Sequence, residues 1–147
     1  MSINGINHVA LRVRDLDQAE AFYAGLLGLK RVGERPGMRF YSSGRFAHEL
    51  ALVQVPGLEI TANSGLAHVC FNLDDEADLY ALHDRSVALG FAPSELVDHR
   101  VTHAFYLQDP SGNLVELGVE RPAEEWRSLA EPFARDYRLV RGASGAD

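Results

Sequence analysis

Apolar and polar residues alternate from Ile6 to Val13, the period-two pattern of a half-buried strand. The period then changes. Asp15-Leu16-Asp17 offers an N-cap, and Ala19, Phe22, Tyr23, Leu26 and Leu27 recur at helical spacing until Gly28 stops the run. Leu29 to Gly33, Met38 to Ser42 and Glu49 to Val55 read as three further strands, parted by Arg35-Pro36-Gly37 and Ser42-Ser43-Gly44-Arg45. After a polar, turn-rich linker from Pro56 to Gly65, the same order returns. Leu66 to Leu73 alternates, a helix follows from about Glu76 to Leu89, and Ala92 to Val97, Val101 to Gln108 and Asn113 to Val119 complete the second set. Asp109-Pro110-Ser111-Gly112 is a tight turn, with proline second and glycine fourth.

The return is a duplication. Sliding the chain so that His8-Val9 falls on His68-Val69 also sets Leu11 on Phe71, Val13 on Leu73 and Asp15 on Asp75. Each helical stretch ends in glycine and a large apolar residue, Gly28-Leu29 and Gly90-Phe91. Two copies of one unit make a paired module rather than a solenoid. Beyond them, Trp126, Leu129 and Phe133 fall at helical spacing, which predicts a C-terminal helix that Pro132 keeps short. Gly142 to Asp147 is small and polar and is expected to be disordered.

Composition narrows the class. A chain of 147 residues with 46% apolar residues can bury a real core within one domain. A formal net charge of −7 argues against nucleic acid as a partner. No run approaches the roughly 20 apolar residues of a membrane span, and no signal pattern opens the chain, so a cytoplasmic protein is expected. The single cysteine, Cys70, lies in an apolar strand and is expected to be a buried, inert thiol.

Three residues carry candidate chemistry. His8 and His68 occupy matching places at the starts of their strands, and Glu116 lies inside the last one. Two imidazoles and one carboxylate can hold a divalent metal and leave neighbouring positions open. Alternation sets His8 and Ala10 on one face and Val9, Leu11 and Val13 on the other; His68, Cys70 and Asn72 repeat this. A hairpin centred near Ser111 puts Tyr106 opposite Glu116, within cross-strand contact. His99 falls in the loop before its strand, and His103 on the strand. His83 is expected to be solvated or packed, and Arg12 and Arg14 to be surface or interface charges.

These segments resemble the vicinal-oxygen-chelate (glyoxalase, bleomycin resistance, extradiol dioxygenase) superfamily. The likeness covers about Ile6 to Arg127. It rests on Asn-His-Val-Ala-Leu at 7–11, Asp-Leu-Asp-Gln-Ala-Glu-Ala-Phe-Tyr at 15–23, Leu-Leu-Gly-Leu at 26–29, Ala-His-Val at 67–69 and Asp-Pro-Ser-Gly-Asn-Leu-Val-Glu-Leu at 109–117. It implies an α+β fold of two tandem βαβββ modules, forming a curled mixed β-sheet cleft with helices outside. Module one would run over 4–56 and module two over 65–120, within one domain at 1–122. A C-terminal extension at 123–147 would be partly helical and then disordered. The metal positions carry over to His8, His68 and Glu116, and the resemblance implies a homodimer.

His48-Glu49-Leu50-Ala51-Leu52, the tail at 120–126 and the segment 98–106 are most similar to small one-domain catechol 2,3-dioxygenase-like members. That likeness implies an Fe(II)-dependent extradiol dioxygenase that opens a catechol-type ring with dioxygen to a muconic semialdehyde. His48 would be the acid/base, Tyr106 a hydrogen-bond donor to substrate, and His99 or His103 would line the dioxygen side. Arg100 departs from the glycine common there, which implies a different pocket rim. The alternative is a glyoxalase-, epimerase- or thiol-transferase-like enzyme using Ni(II), Zn(II), Co(II) or Mn(II). It would take a fourth ligand from the segment near Leu50, where only Glu49 could serve. A metal-free small-molecule binder of the antibiotic-resistance type is a third reading, which the intact His, His, Glu set disfavours.

Overall fold

In the computed structural model, residues 3–61 and 64–141 are described, and the stretch expected to be disordered at 142–147 lies outside them. The chain folds as α+β with two mixed sheets, neither closed into a barrel. It divides into two compact units. One comprises residues up to 67 together with 108–113, the other 68–107 with 114 onward.

The first unit begins with β1 (Val9–Val13), whose burial alternates as the sequence pattern requires, with Leu11 and Val13 inside. Asp15 caps α1 (Leu16–Glu20) by accepting from the Asp17 and Gln18 amides at 2.9 and 2.8 Å. The expected single helix then widens into a π-helical stretch, Ala21–Leu26, where the Leu27 amide reaches the Phe22 carbonyl at 3.0 Å. This buries Phe22, Tyr23 and Leu26 together, and Gly28 ends the run in a left-handed conformation at φ 78°. The strands β2 (Lys30–Arg35), β3 (Met38–Ser42) and β4 (Leu50–Gln54) complete a sheet of order β1-β4-β3-β2.

Asp109 organises the turn at 108–113. One carboxylate oxygen accepts from the Tyr23 hydroxyl at 3.0 Å and the Asn113 amide side chain at 2.9 Å. The other accepts from the backbone N–H groups of Ser111 and Asn113 at 2.8 and 2.9 Å. Arg14 clamps the same turn. Its backbone N–H donates to the Ser111 hydroxyl at 2.8 Å, and its guanidinium donates to the carbonyls of Ser111, Leu58 and Pro110. Arg14 is therefore a structural clamp rather than a free surface charge. Burial and the adjacent Asp109 carboxylate push the Tyr23 phenol far above its ordinary range.

The second unit repeats the order. β5 (Val69–Asn72) leads to α2 (Glu76–Ala88), capped by Asp75 on the Asp78 amide at 2.9 Å. β6 (Val97–Asp98), β7 (Thr102–Gln108) and β8 (Leu114–Glu120) follow. The strand expected over Ala92 to Val97 is much shorter. Pro93 has no N–H to give, and although the Ser94 amide donates to the Tyr106 carbonyl at 2.9 Å, the Tyr106 amide returns to the Ser94 hydroxyl at 2.9 Å and not to its carbonyl.

The C-terminal segment departs most from expectation. Its helix, α3, spans only Ala123–Trp126, and Phe133 is exposed instead of packing on the Trp126 face. The chain then adds β9 (Tyr137–Arg138) antiparallel to β6, giving a sheet of order β5-β8-β7-β6-β9. Among the described residues no helix is long and apolar enough to cross a membrane.

Asp109→Ala would leave the Tyr23 hydroxyl and two backbone donors without their acceptor. A loss of about 3 kcal/mol of unfolding free energy is expected in urea titrations. A loss below about 0.5 kcal/mol would show that the turn does not depend on this carboxylate.

Candidate metal centre

Parallel pairing fixes where the candidate ligands fall. β5 runs parallel to β8, with Val69 on Val115 and Cys70 on Glu116, so His68 enters the strand beside the carboxylate. Glu116 is 6% exposed. Its Oε2 lies 2.9 Å from His68 Nε2 and its Oε1 lies 3.8 Å from His99 Nε2. Among the described residues no lysine or arginine pairs with it. A buried carboxylate with imidazoles as its only basic neighbours is costly unless a positive charge completes the site. The donor chemistry fits a divalent metal, with His68 and Glu116 supplying one nitrogen and one carboxylate.

Tyr106 joins this group, as the hairpin register anticipates. The Asp109 amide donates to the Asn113 carbonyl at 2.9 Å, and in that register Tyr106 faces Glu116. The Tyr106 ring meets the His68 ring edge-on at 5.7 Å. Desolvation, then the charge of Glu116 and a hydrogen bond to it, push the phenol up to about 12.

His99 stands in the loop between β6 and β7. Its Nε2 is 2.9 Å from the Tyr106 hydroxyl, and its Nδ1 is 2.6 Å from Asp136 Oδ1. Asp136 carries no local signal in the sequence, and only the β6–β9 pairing brings it to His99. His103 is buried, with Nδ1 at 2.6 Å from Glu76, which also accepts from Arg121 at 2.7 Å. It ties β7 to α2 and makes no contact with Glu116. His83 is packed, as expected, between the Ser94 carbonyl and the Phe105 ring.

Cys70 corrects one expectation. The residue is exposed, on the more open of the two alternating faces of β5. Its sulfur nevertheless packs toward Gly118, where an added Cβ would come within 3.2 Å of it. Desolvation and the Glu116 and Glu120 carboxylates push the thiol up to about 12, so it is a poor nucleophile.

The first unit holds the other candidates. His8 precedes β1 and is exposed, with Nδ1 at 2.9 Å from the Asn7 side-chain oxygen, a contact that leaves Nε2 open. The His48 ring lies 4.5 Å from the His8 ring and meets Phe40 edge-on at 5.3 Å. β1 is parallel to β4, with Ala10 on Ala51. This is the register that sets Cys70 on Glu116, so the first unit's counterpart of Glu116 is Ala51, which has no donor. Counting by spacing had pointed instead to Leu50. Glu49 is turned to the loop, where its carboxylate accepts from the Ser43 amide at 3.0 Å and the Ser43 hydroxyl at 2.5 Å. Partial desolvation raises the Glu49 carboxyl, but these hydrogen bonds outweigh it and hold the group below its ordinary value. Among the described residues, no group of three His, Cys, Asp or Glu side chains is gathered as a metal site.

Residues 5–117 match the family model described as the glyoxalase/bleomycin resistance protein/dioxygenase superfamily. Biphenyl-2,3-diol 1,2-dioxygenase 3 of Rhodococcus globerulus is 32% identical over 88% of this chain and 70% of its own length. Catechol-2,3-dioxygenase of Bacillus subtilis is 26% identical over 83% of this chain, which spans only 44% of that protein. A solved lactoylglutathione lyase from Agrobacterium tumefaciens has a TM-score of 0.64 at 32% identity, covering 81% of this chain and 96% of that one.

If Glu49 serves the loop, its contribution to stability obeys the linkage for a carboxyl depressed in the folded state. The contribution is present above the unfolded value near 4.5 and is lost as pH falls through the lower folded value. Glu49→Gln is therefore expected to lower the melting temperature at pH 7, with the gap closing as both proteins are acidified below pH 4.5. A gap that widens toward acid would overturn this role.

Proposed function

The chain belongs to the glyoxalase/bleomycin resistance protein/dioxygenase superfamily, and within it we propose an extradiol dioxygenase that opens a catechol-type aromatic diol with dioxygen. The observation that carries the reading is the buried Glu116 carboxylate, held against His68, His99 and Tyr106 without a fixed cation. His8, His68 and Glu116 would hold the metal, and Fe(II) is the ion proposed. When bound, such an ion makes a diol hydroxyl more acidic and offers adjacent positions for the diol and dioxygen.

The protein's own groups do the rest. His48, whose ring lies 4.5 Å from that of His8, would take the second hydroxyl proton and return it to the oxygen that departs from the ring. An imidazole suits both directions of transfer near neutral pH. Tyr106, whose raised value keeps it protonated, donates a hydrogen bond to a substrate oxygen. The phenol has one proton to give, so on substrate binding it would turn from its partners Glu116 and His99 Nε2 to the substrate oxygen, while Asp136, 2.6 Å from His99 Nδ1, fixes that ring's orientation.

A lyase of the glyoxalase kind is the second reading, supported by the 32% identical Agrobacterium structure. Against it, the counterpart of Glu116 in the first unit is Ala51, and Glu49 is engaged with Ser43. A four-ligand site would therefore lack its fourth donor.

Protein loaded anaerobically with Fe(II) is expected to take up dioxygen with one or more catechols and to form a yellow ring-opened product. His48→Ala should lower kcat about 100-fold or more with iron still bound, and Glu116→Gln should lose the metal. Stoichiometric iron with no uptake across the catechol panel would refute the dioxygenase reading, and hemithioacetal substrates would be tried next.

A further inference from the structure

Arg100 and the C-terminal segment line an open surface cavity of about 430 Å³ in the second unit, formed by Arg100, Leu129, Glu131, Ala134, Arg135 and Tyr137. Two guanidiniums meet on one phenol there. The Arg100 carbon CZ lies 5.3 Å from the Tyr137 ring centroid and that of Arg135 lies 4.9 Å from it. Arg135 spends its Nε on the Tyr137 hydroxyl at 2.5 Å, which leaves its terminal fork free. The Arg100 guanidinium has no hydrogen-bond acceptor or ion pair among the described residues. Glu131 lines the same cavity but pairs with neither arginine, so the wall keeps a net positive charge.

The backbone gives an independent sign. Arg100 is the one non-glycine residue with positive φ among the described residues, at 71°. A left-handed residue of this size is strained, and glycine would relieve it. Strain of this kind persists only where the surrounding structure holds it, here by the Asp98 carboxylate on the Arg100 amide at 2.6 Å, and it clusters at ligand clamps and switch regions. The cavity is linked to the candidate site along the chain. Arg100 follows His99, and Arg135 and Tyr137 flank Asp136, which binds His99. His99 in turn touches Tyr106 and lies 3.8 Å from Glu116.

We propose that this cavity is a carboxylate-binding subsite, in which the Arg100 and Arg135 guanidiniums grip the acidic side chain of an aromatic diol substrate. The assignment rests on the dioxygenase reading for the diol, while the anion site itself stands on the cavity alone. Planar guanidinium forks match a carboxylate in two parallel hydrogen bonds, and neutral substituents cannot answer them.

The test starts on metal-free protein, titrated by calorimetry with 3-phenylpropanoate and with its amide. The acid should bind about tenfold tighter or more, and Arg100→Gly and Arg135→Gln should each abolish the preference. Arg100→Gly relieves the left-handed strain, so its thermal melt is expected to match or exceed the parent's. Equal binding of acid and amide, or a preference that survives both substitutions, would overturn the subsite. Fe(II)-loaded protein then separates the two readings. Uptake with plain catechol, and none of the tenfold gain in kcat/KM for 3-(3,4-dihydroxyphenyl)propanoate over its amide, removes the subsite and keeps the dioxygenase. Arginine-dependent binding of the acid with no uptake on any diol keeps the anion site and removes the dioxygenase.

Discussion

In each unit the strand that a histidine leads into runs parallel to the strand that closes the unit, β1 with β4 and β5 with β8. Parallel neighbours cannot be joined by a tight turn; in each unit the helical stretch carries the chain across to the next strand, β2 or β6, and the following strands step back to the parallel neighbour. The same pairing sets the chemistry. It puts Glu116 beside Cys70 and hence near His68 in one unit, and Ala51 beside Ala10 in the other. One fold unit, used twice, thus presents a carboxylate in its second copy and a methyl group in its first. Divergence at a single register position is enough to make the copies chemically unequal.

Polar burial in both units follows one rule, that an interior carboxylate is kept only where donors surround it. Asp109 meets the rule with four hydrogen bonds from Tyr23, Ser111 and Asn113, and it holds a turn. Glu76, only partly buried, is likewise paired with His103 and Arg121, and it holds α2 to its sheet. Glu116 meets it only with imidazoles and a phenol. That difference separates a structural carboxylate from one that can serve a bound cation. Around it, Asp136, His99 and Tyr106 form a chain of hydrogen bonds running from the C-terminal segment to the candidate centre. The arginines flanking that chain extend its polarity into the neighbouring cavity.

Much of this was legible in the sequence because the signals are local. The caps Asp15 and Asp75, the stops at Gly28 and Gly90, and the Asp109–Gly112 turn each act within a few residues of themselves. The turn also sets the hairpin register, so the meeting of Tyr106 with Glu116 is legible in the sequence. The repeat marked His8 and His68 as equivalent. What remained hidden depends on segments far apart in the chain. Nothing near Asp136 signals His99, since the two meet through strand pairing across 37 positions. Helical spacing of Trp126, Leu129 and Phe133 misled because Pro132 and the open edge of β6 favoured an added strand. Cys70 read as buried from its apolar neighbours, whereas exposure is set by which face of β5 is covered. Periodicity, caps and turns therefore determined the elements, their duplication and the candidate ligands. Tertiary pairing alone decided that Ala51 takes the carboxylate's place in the first unit, that Glu49 turns to Ser43, and that Arg100 faces Tyr137, because each depends on a partner that local sequence does not specify.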